Sequence, residues 1–257
     1  MRLHFQANGE GFPLILLHGF LGSLDNWRAV SKRLGSRYKV YSLDLRNHGF
    51  SPHSDIMNYA VMAQDVGEFM TDRGLSSAFL LGHSMGGKVA MQFATDLPNR
   101  VEKLIVVDIA PKSYEPSHRP ILSALLSLDL KAYPSFGEVD TALAAAVPEV
   151  AVRQFLLKNL TRGKDGQLSW RSHLEAIARN YDELSKAISP QRKYAHPACF
   201  IRGGRSNYIQ EGDVSIIKEA FPQAEIKTIV NAGHWVHADA PEEFVKTVID
   251  FLTGNPL

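Results

Sequence analysis

The sequence predicts an α/β fold, a mostly parallel central sheet flanked by helices on both faces and interrupted by an inserted helical cap. Three observations predict it. Short, almost wholly apolar runs alternate with amphipathic stretches over the first 111 residues. Between residues 112 and 196 the alternation gives way to Leu- and Ala-rich helical stretches punctuated by Pro116, Pro120, Pro134, Pro148 and Pro190, and from Pro197 it resumes. Apolar runs with no polar face need cover on both sides, and amphipathic helices between parallel strands provide it. A chain of 257 residues, 45% of them hydrophobic, is long enough for one such unit with an insertion. The expected division is residues 1–111 with 197–257 as the core and 112–196 as the cap.

The elements follow in order. Leu14 to Leu17 reads as a buried strand, Asp25 to Leu34 as a helix and Lys39 to Leu43 as the next strand. A helix is expected from about Tyr59 to Arg73, with Asn58 as its N-cap and Arg73-Gly74 as its end. Ala78 to Leu81 is a strand, Lys88 to Ala94 lies in a helix, and Lys103 to Val107 is again a strand. After the cap, Pro197 to Gly203 and Ala224 to Ile229 are strands and Pro241 to Leu252 is an amphipathic helix. A cap between two parts of one sheet leaves a cleft over the strand C-terminal ends, where ligands of open α/β sheets sit.

Charge narrows the partners. There are 28 basic and 27 acidic residues with no long block of one sign, so no nucleic-acid partner is expected and a small molecule fits better. Cys199, the single cysteine, lies in the apolar run Ala198-Cys199-Phe200-Ile201, which makes it a packing residue and excludes an internal disulfide. No run approaches the roughly 20 apolar residues that span a bilayer. Phe12 to Leu17 lacks the flanks of a signal segment, so no membrane insertion and a cytoplasmic location are expected.

Gly82-His83-Ser84-Met85-Gly86 carries the chemistry. It stands between the strand ending at Leu81 and the helix containing Lys88, and a serine on so tight a turn presents its hydroxyl while the glycines remove clashing side chains. An incidental serine in a glycine-rich turn would not need that flanking strand and helix. A serine nucleophile needs a base, a group that orients the base, and donors for the developing oxyanion. His234, in Asn231-Ala232-Gly233-His234-Trp235 between the last strand and the last helix, is the candidate base. His83 adjoins Ser84 too closely to fold back on it and is expected to pack behind the turn.

In His18-Gly19-Phe20-Leu21-Gly22-Ser23, Asp44-Leu45-Arg46-Asn47-His48-Gly49-Phe50-Ser51, Gly82 to Gly87 and Gly233-His234-Trp235, the chain resembles the α/β-hydrolase superfamily over essentially its whole length. Through Gly22 to Asn26, Arg46 to Gly49, Asp108-Ile109-Ala110-Pro111 and His234-Trp235-Val236-His237 it is more narrowly similar to the small bacterial YbfF-type carboxylesterases and their eukaryotic relatives. The resemblance implies an α/β-hydrolase fold, with the backbone N–H groups of Phe20 and Met85 as the oxyanion hole. A helix N-terminus supplies the unpaired amide at Met85. Where many members carry an aspartate after the penultimate strand, this chain has Ser206 and Asn207. Asp108, at the end of the strand after the nucleophile strand, is within reach because neighbouring strands lie roughly 4.8 Å apart. The branch resembled also uses this position. Glu211, Asp213 and Asp239 remain the alternative acids.

Substrate contacts are expected from Leu21, Leu160 and Trp235, with Phe20 and the cap residues Phe155, Leu156, Leu157 and Trp170 as further apolar candidates. The cap residues serve equally as the cap's own core. Lys158, Arg162, Lys164 and Arg171 read as solvated charge, or as contacts for the phosphates of an acyl-CoA. His48 is expected to fix the loop beside the site. The other histidines lack metal-ligand spacing, so no metal and no cofactor are expected. The reading is a serine carboxylic-ester hydrolase working through an acyl-enzyme on short to medium acyl esters or thioesters. Other chemistry on the same scaffold (a C–C bond hydrolase, a lyase or a cofactor-free haloperoxidase) and a non-enzymatic small-molecule receptor are the alternatives. The oligomeric state is left open.

Overall fold

The computed structural model describes residues 1–254. Seven strands form the central sheet: β1 (Phe5–Asn8), β2 (Pro13–Leu17), β3 (Lys39–Leu43), β4 (Ala78–His83), β5 (Val101–Val107), and, beyond the insertion, β8 (Ala198–Gly203) and β9 (Ala224–Ile229). Their spatial order is β1-β3-β2-β4-β5-β8-β9, with β1 antiparallel to β3 and every other pair parallel. The α/β-hydrolase fold read from the sequence is the fold observed. β1 was not expected, because Phe5-Gln6-Ala7-Asn8 is a largely solvated edge strand with no apolar run.

Alternation along the buried strands sends side chains to two cores. Ile15, Leu17, Leu80, Leu104, Val106 and Phe200 share one face with α2 (Tyr59–Asp72) and α3 (Met85–Asp96). Leu14, Leu16, Leu81, Ile105, Cys199 and Ile201 share the other with α1 (Arg28–Leu34) and the C-terminal helix α11 (Pro241–Thr253). The Asn58 side chain accepts from Val61 N at 3.0 Å, so the cap read from sequence starts α2. Cys199 is fully buried, and burial pushes its thiol pKa up, away from reactivity.

Between β5 and β8 run α4 (Arg119–Ser127), α5 (Phe136–Leu143), α6 (Val150–Leu157), a two-stranded hairpin of β6 (Leu160–Arg162) and β7 (Leu168–Trp170), α7 (Leu174–Arg179) and α8 (Tyr181–Ser185). The hairpin corrects the expectation of a wholly helical insertion; three-residue strands leave no buried run to read. Hydrogen bonds tie this covering segment to the strand-end loops, among them Asn159 Nδ2 to Leu21 O at 2.5 Å, His173 N to Asn47 O at 2.9 Å and Asn180 Nδ2 to Asp55 O at 2.8 Å. After β8 come α9 (Val214–Ala220) and, after β9, the short α10 (Val236–Asp239). Among the described residues no helix is long and apolar enough to cross a membrane.

Candidate active site

Ser84 sits between β4 and α3 with φ 52° and ψ −119°, a left-handed backbone that side chains other than glycine rarely adopt. Hydrogen bonds hold it there: Ser84 N donates to Val107 O at 2.9 Å and Lys88 N to Ser84 O at 3.1 Å. The neighbouring glycines are compulsory. A Cβ at Gly82 would lie 2.1 Å from Gly86 O, and one at Gly86 would lie 2.4 Å from His18 O.

His234, in the loop between β9 and α10, places Nε2 3.1 Å from Ser84 Oγ and Nδ1 2.8 Å from Asp108 Oδ2. Asp108 is fully buried at the end of β5, also with a left-handed φ of 52°. Its Oδ1 accepts from Gly203 N at 3.0 Å, and its Oδ2 accepts from the Ser206 hydroxyl as well as from His234. Three donors thus converge on one buried carboxylate and hold it aimed at the imidazole. The alternative acids are engaged elsewhere: Glu211 with Arg202, Asp213 with Lys112, and Asp239 with Gly233 N.

A frame of neutral histidines supports these groups. Burial drops His83 well below its ordinary pKa, and its Nε2–H donates to His234 O at 2.9 Å, holding the loop of the base. His48 is pulled down to about 3, mainly by burial; it donates from Nδ1 to Arg46 O and accepts at Nε2 from Leu21 N at 3.2 Å. His18, lowered to about 4 by burial, donates to Gly19 O and accepts from Leu45 N. His48 therefore fixes the loop at Leu21, itself at φ 53°. That loop runs against the nucleophile: a Cβ at Gly19 would lie 3.4 Å from Ser84 Cβ. Among the described residues no loop or turn hydrogen bond is donated by the amides of Phe20 and Met85, and both residues line the larger cavity beside Ser84.

Two cavities meet at Ser84. The larger, about 400 Å³, includes Tyr59, Met85, Lys88, Tyr114 and Asn207 in its wall; the smaller, about 250 Å³, includes Leu21, Val152, Phe155, Leu156 and Trp235. Phe20, Ser84, His118 and Tyr208 border both. Tyr208 stacks on His234 with ring centres 3.9 Å apart and planes at 19°.

The structure thus brings together Ser84, Asp108, His234, Phe20 and Met85, and places Leu21 and Trp235 in the wall of the smaller cavity. Leu160 is corrected. It is buried in the hairpin opposite Trp170, in the apolar core of the covering segment, and lines neither cavity. Lys158, Arg162, Lys164 and Arg171 also line neither. Sequence reading missed Lys88, Tyr208 and the role of Ser206. Only the position of Ser206, in the slot where a carboxylate was missing, was a signal.

A family profile described as alpha/beta hydrolase fold matches residues 13–241. The chain is 38% identical to mouse "sn-1-specific diacylglycerol lipase ABHD11" over 93% of this chain and 80% of that protein. It is 32% identical to Escherichia coli (strain K12) "Esterase YbfF" over 96% and 95% of the two chains. Among solved structures, a "Marine microorganism esterase" superposes with a TM-score of 0.95 at 41% identity, covering 97% of this chain and 99% of the other.

Proposed function

We propose, for a chain that belongs to the alpha/beta hydrolase fold family, that it is a serine carboxylic-ester hydrolase working through an acyl-enzyme. One observation carries the proposal: the unbroken chain from Ser84 Oγ through His234 to the buried Asp108. In this reading His234 Nε2 takes the Ser84 proton as Oγ attacks the ester carbonyl. Asp108 holds the Nδ1–H tautomer and stabilises the imidazolium. The amides of Phe20 and Met85 receive the negative oxygen of the tetrahedral intermediate. Collapse expels the alcohol, protonated by His234; water, deprotonated by the same ring, then releases the acid. Acyl and alcohol parts lie in the two cavities that meet at Ser84, and residues 112–196 act as the cap that closes them over.

A lipase is the second reading within this chemistry, favoured by the relatives named as diacylglycerol lipases and by the predominantly apolar cavity walls. p-Nitrophenyl esters of graded chain length, with Ser84→Ala as control and an organophosphonate to trap the nucleophile, test the proposal. Turnover by the wild type alone and an adduct on Ser84 are expected. Absence of both refutes it. A rate that rises with acyl length and prefers diacylglycerol selects the lipase.

A further inference from the structure

Lys88 is a buried amine in the wall of the larger cavity that the proposed reaction does not use. Its residue is 2% exposed. Nζ donates to Lys186 O at 2.5 Å and lies 5.2 Å from the ring centre of Tyr59 and 4.9 Å from that of Tyr114, both in the same cavity wall. One of three N–H donors is thereby satisfied and two aromatic faces attract the cation. Among the described residues no carboxylate pairs with the amine, and burial pulls it down to about 7. An apolar side chain of similar length would fill this position without desolvating a charge.

Apart from Glu115, the other titratable side chains of the wall are uncharged. Burial raises the pKa values of Tyr59, Tyr114, Tyr181 and Tyr208, which keeps their hydroxyls protonated, and lowers that of His118, which keeps the ring neutral. Glu115 also lines the cavity but is exposed to solvent. Among the described residues that line the cavity, Lys88 is therefore the one source of positive charge. It lies in the first turn of α3, four residues after Ser84, which precedes that helix, and helical side chains lean back toward the N-terminus.

Resting on the ester-hydrolase reading, we infer that the larger cavity is a carboxylate subsite. Lys88 receives an anionic group carried by the substrate a few bonds from the scissile carbonyl, so the substrate class is carboxylate-bearing esters or thioesters, such as half-esters of short dicarboxylic acids.

Two substrate arms locate the carboxylate: monoethyl succinate, glutarate and adipate against the ethyl esters of uncharged acids of the same length, and acetyl esters of short ω-hydroxy acids against alkyl acetates. In the arm that matches, the wild type should favour the charged ester at least about tenfold in kcat/KM at pH 7, and Lys88→Met should abolish or reverse that preference. Binding is measured separately by calorimetry on Ser84→Ala at pH 8, in two buffers of different ionisation enthalpy. Pairing with the amine requires it to be protonated, so the matching half-ester should take up close to one proton per site, an uptake that vanishes in Ser84→Ala/Lys88→Met. If Lys88 only tethers residue 186, its replacement lowers Tm and affects charged and neutral esters alike, with no proton uptake, and the inference falls. Should Lys88→Met fail to fold, the wild-type preference and the uptake by Ser84→Ala decide. Hydrolysis of neutral esters with neither preference nor uptake sinks the subsite and leaves the hydrolase; uptake without hydrolysis of any ester does the reverse.

Discussion

The strand-end loops that carry Ser84, Asp108 and His234 and the segment that arches over them between Arg119 and Ser185 are held by different forces. The loops are dense with buried polar partners: His18, His48 and His83 each bond backbone on the neighbouring loops, and the four non-glycine residues with left-handed φ among the described residues, Leu21, Asn47, Ser84 and Asp108, all lie here. Such strain persists only where surrounding bonds over-determine it. The covering segment consists of helices of five to nine residues, too short to be stable alone, and rests on an apolar cluster shared with one face of the sheet and on scattered polar contacts such as Asn159 to Leu21 O and Asn180 Nδ2 to Asp55 O. In the proposed reaction the difference separates two roles: the loops fix the geometry around Ser84, and the segment supplies cavity walls such as Phe155, Leu156, Tyr181 and Leu184.

Changes in the loops should therefore strike kcat hardest. Ser84→Ala should remove ester turnover by a factor on the order of 10⁶, and Asp108→Asn should lower kcat about 10⁴-fold with the protein still folded. Near-normal turnover in Asp108→Asn, with collapse in Asp213→Asn instead, would move the acid out of the loop framework.

Acid should break the loops before the rest. His18, His48 and His237, lowered by burial to about 4, 3 and 3, and His83, lowered further, bind protons more weakly in the folded chain than in the unfolded one. Their neutral state stabilises the fold fully above the ordinary histidine pKa of about 6.5, and that contribution is lost as pH falls from there toward 3. Each group contributes a slope of up to about 1.4 kcal/mol per pH unit. Urea unfolding between pH 7 and 4.5 should show stability dropping steeply; a flat profile would mean the histidine frame does not hold the loops.

Ser206→Ala, which leaves Asp108 with Gly203 N and His234, should lower kcat about tenfold and move KM little. The smallest effect belongs to the covering segment. Asn159→Ala, which frees its contact with Leu21 O, should change KM and the preferred acyl length several-fold while leaving short-ester kcat within about threefold. A kcat loss as large as that of Ser206→Ala would show that the two regions are not separable.

Much of this was legible in the sequence because it is written locally. The glycines around Ser84 and the strand before it announce the turn, since only glycine allows the backbones of residues 82, 86 and 18 to approach so closely. The apolar runs gave the buried parallel strands, whereas β1, β6 and β7, being short or solvated, left no pattern. Asp108 was within reach of the sequence through strand adjacency, but three other carboxylates stayed open until their partners were seen.

The residues themselves therefore determined the fold and the candidates Ser84 and His234, because strand periodicity and strained turns are properties of neighbours in the chain. Only the tertiary structure decided the choice of acid, the donation of Ser206 to it, the burial of Leu160 away from the site, and the placing of Lys88 between Tyr59 and Tyr114. Those depend on side chains tens of residues apart meeting at one point, and burial, which sets their charge and reach, has no signature in local sequence.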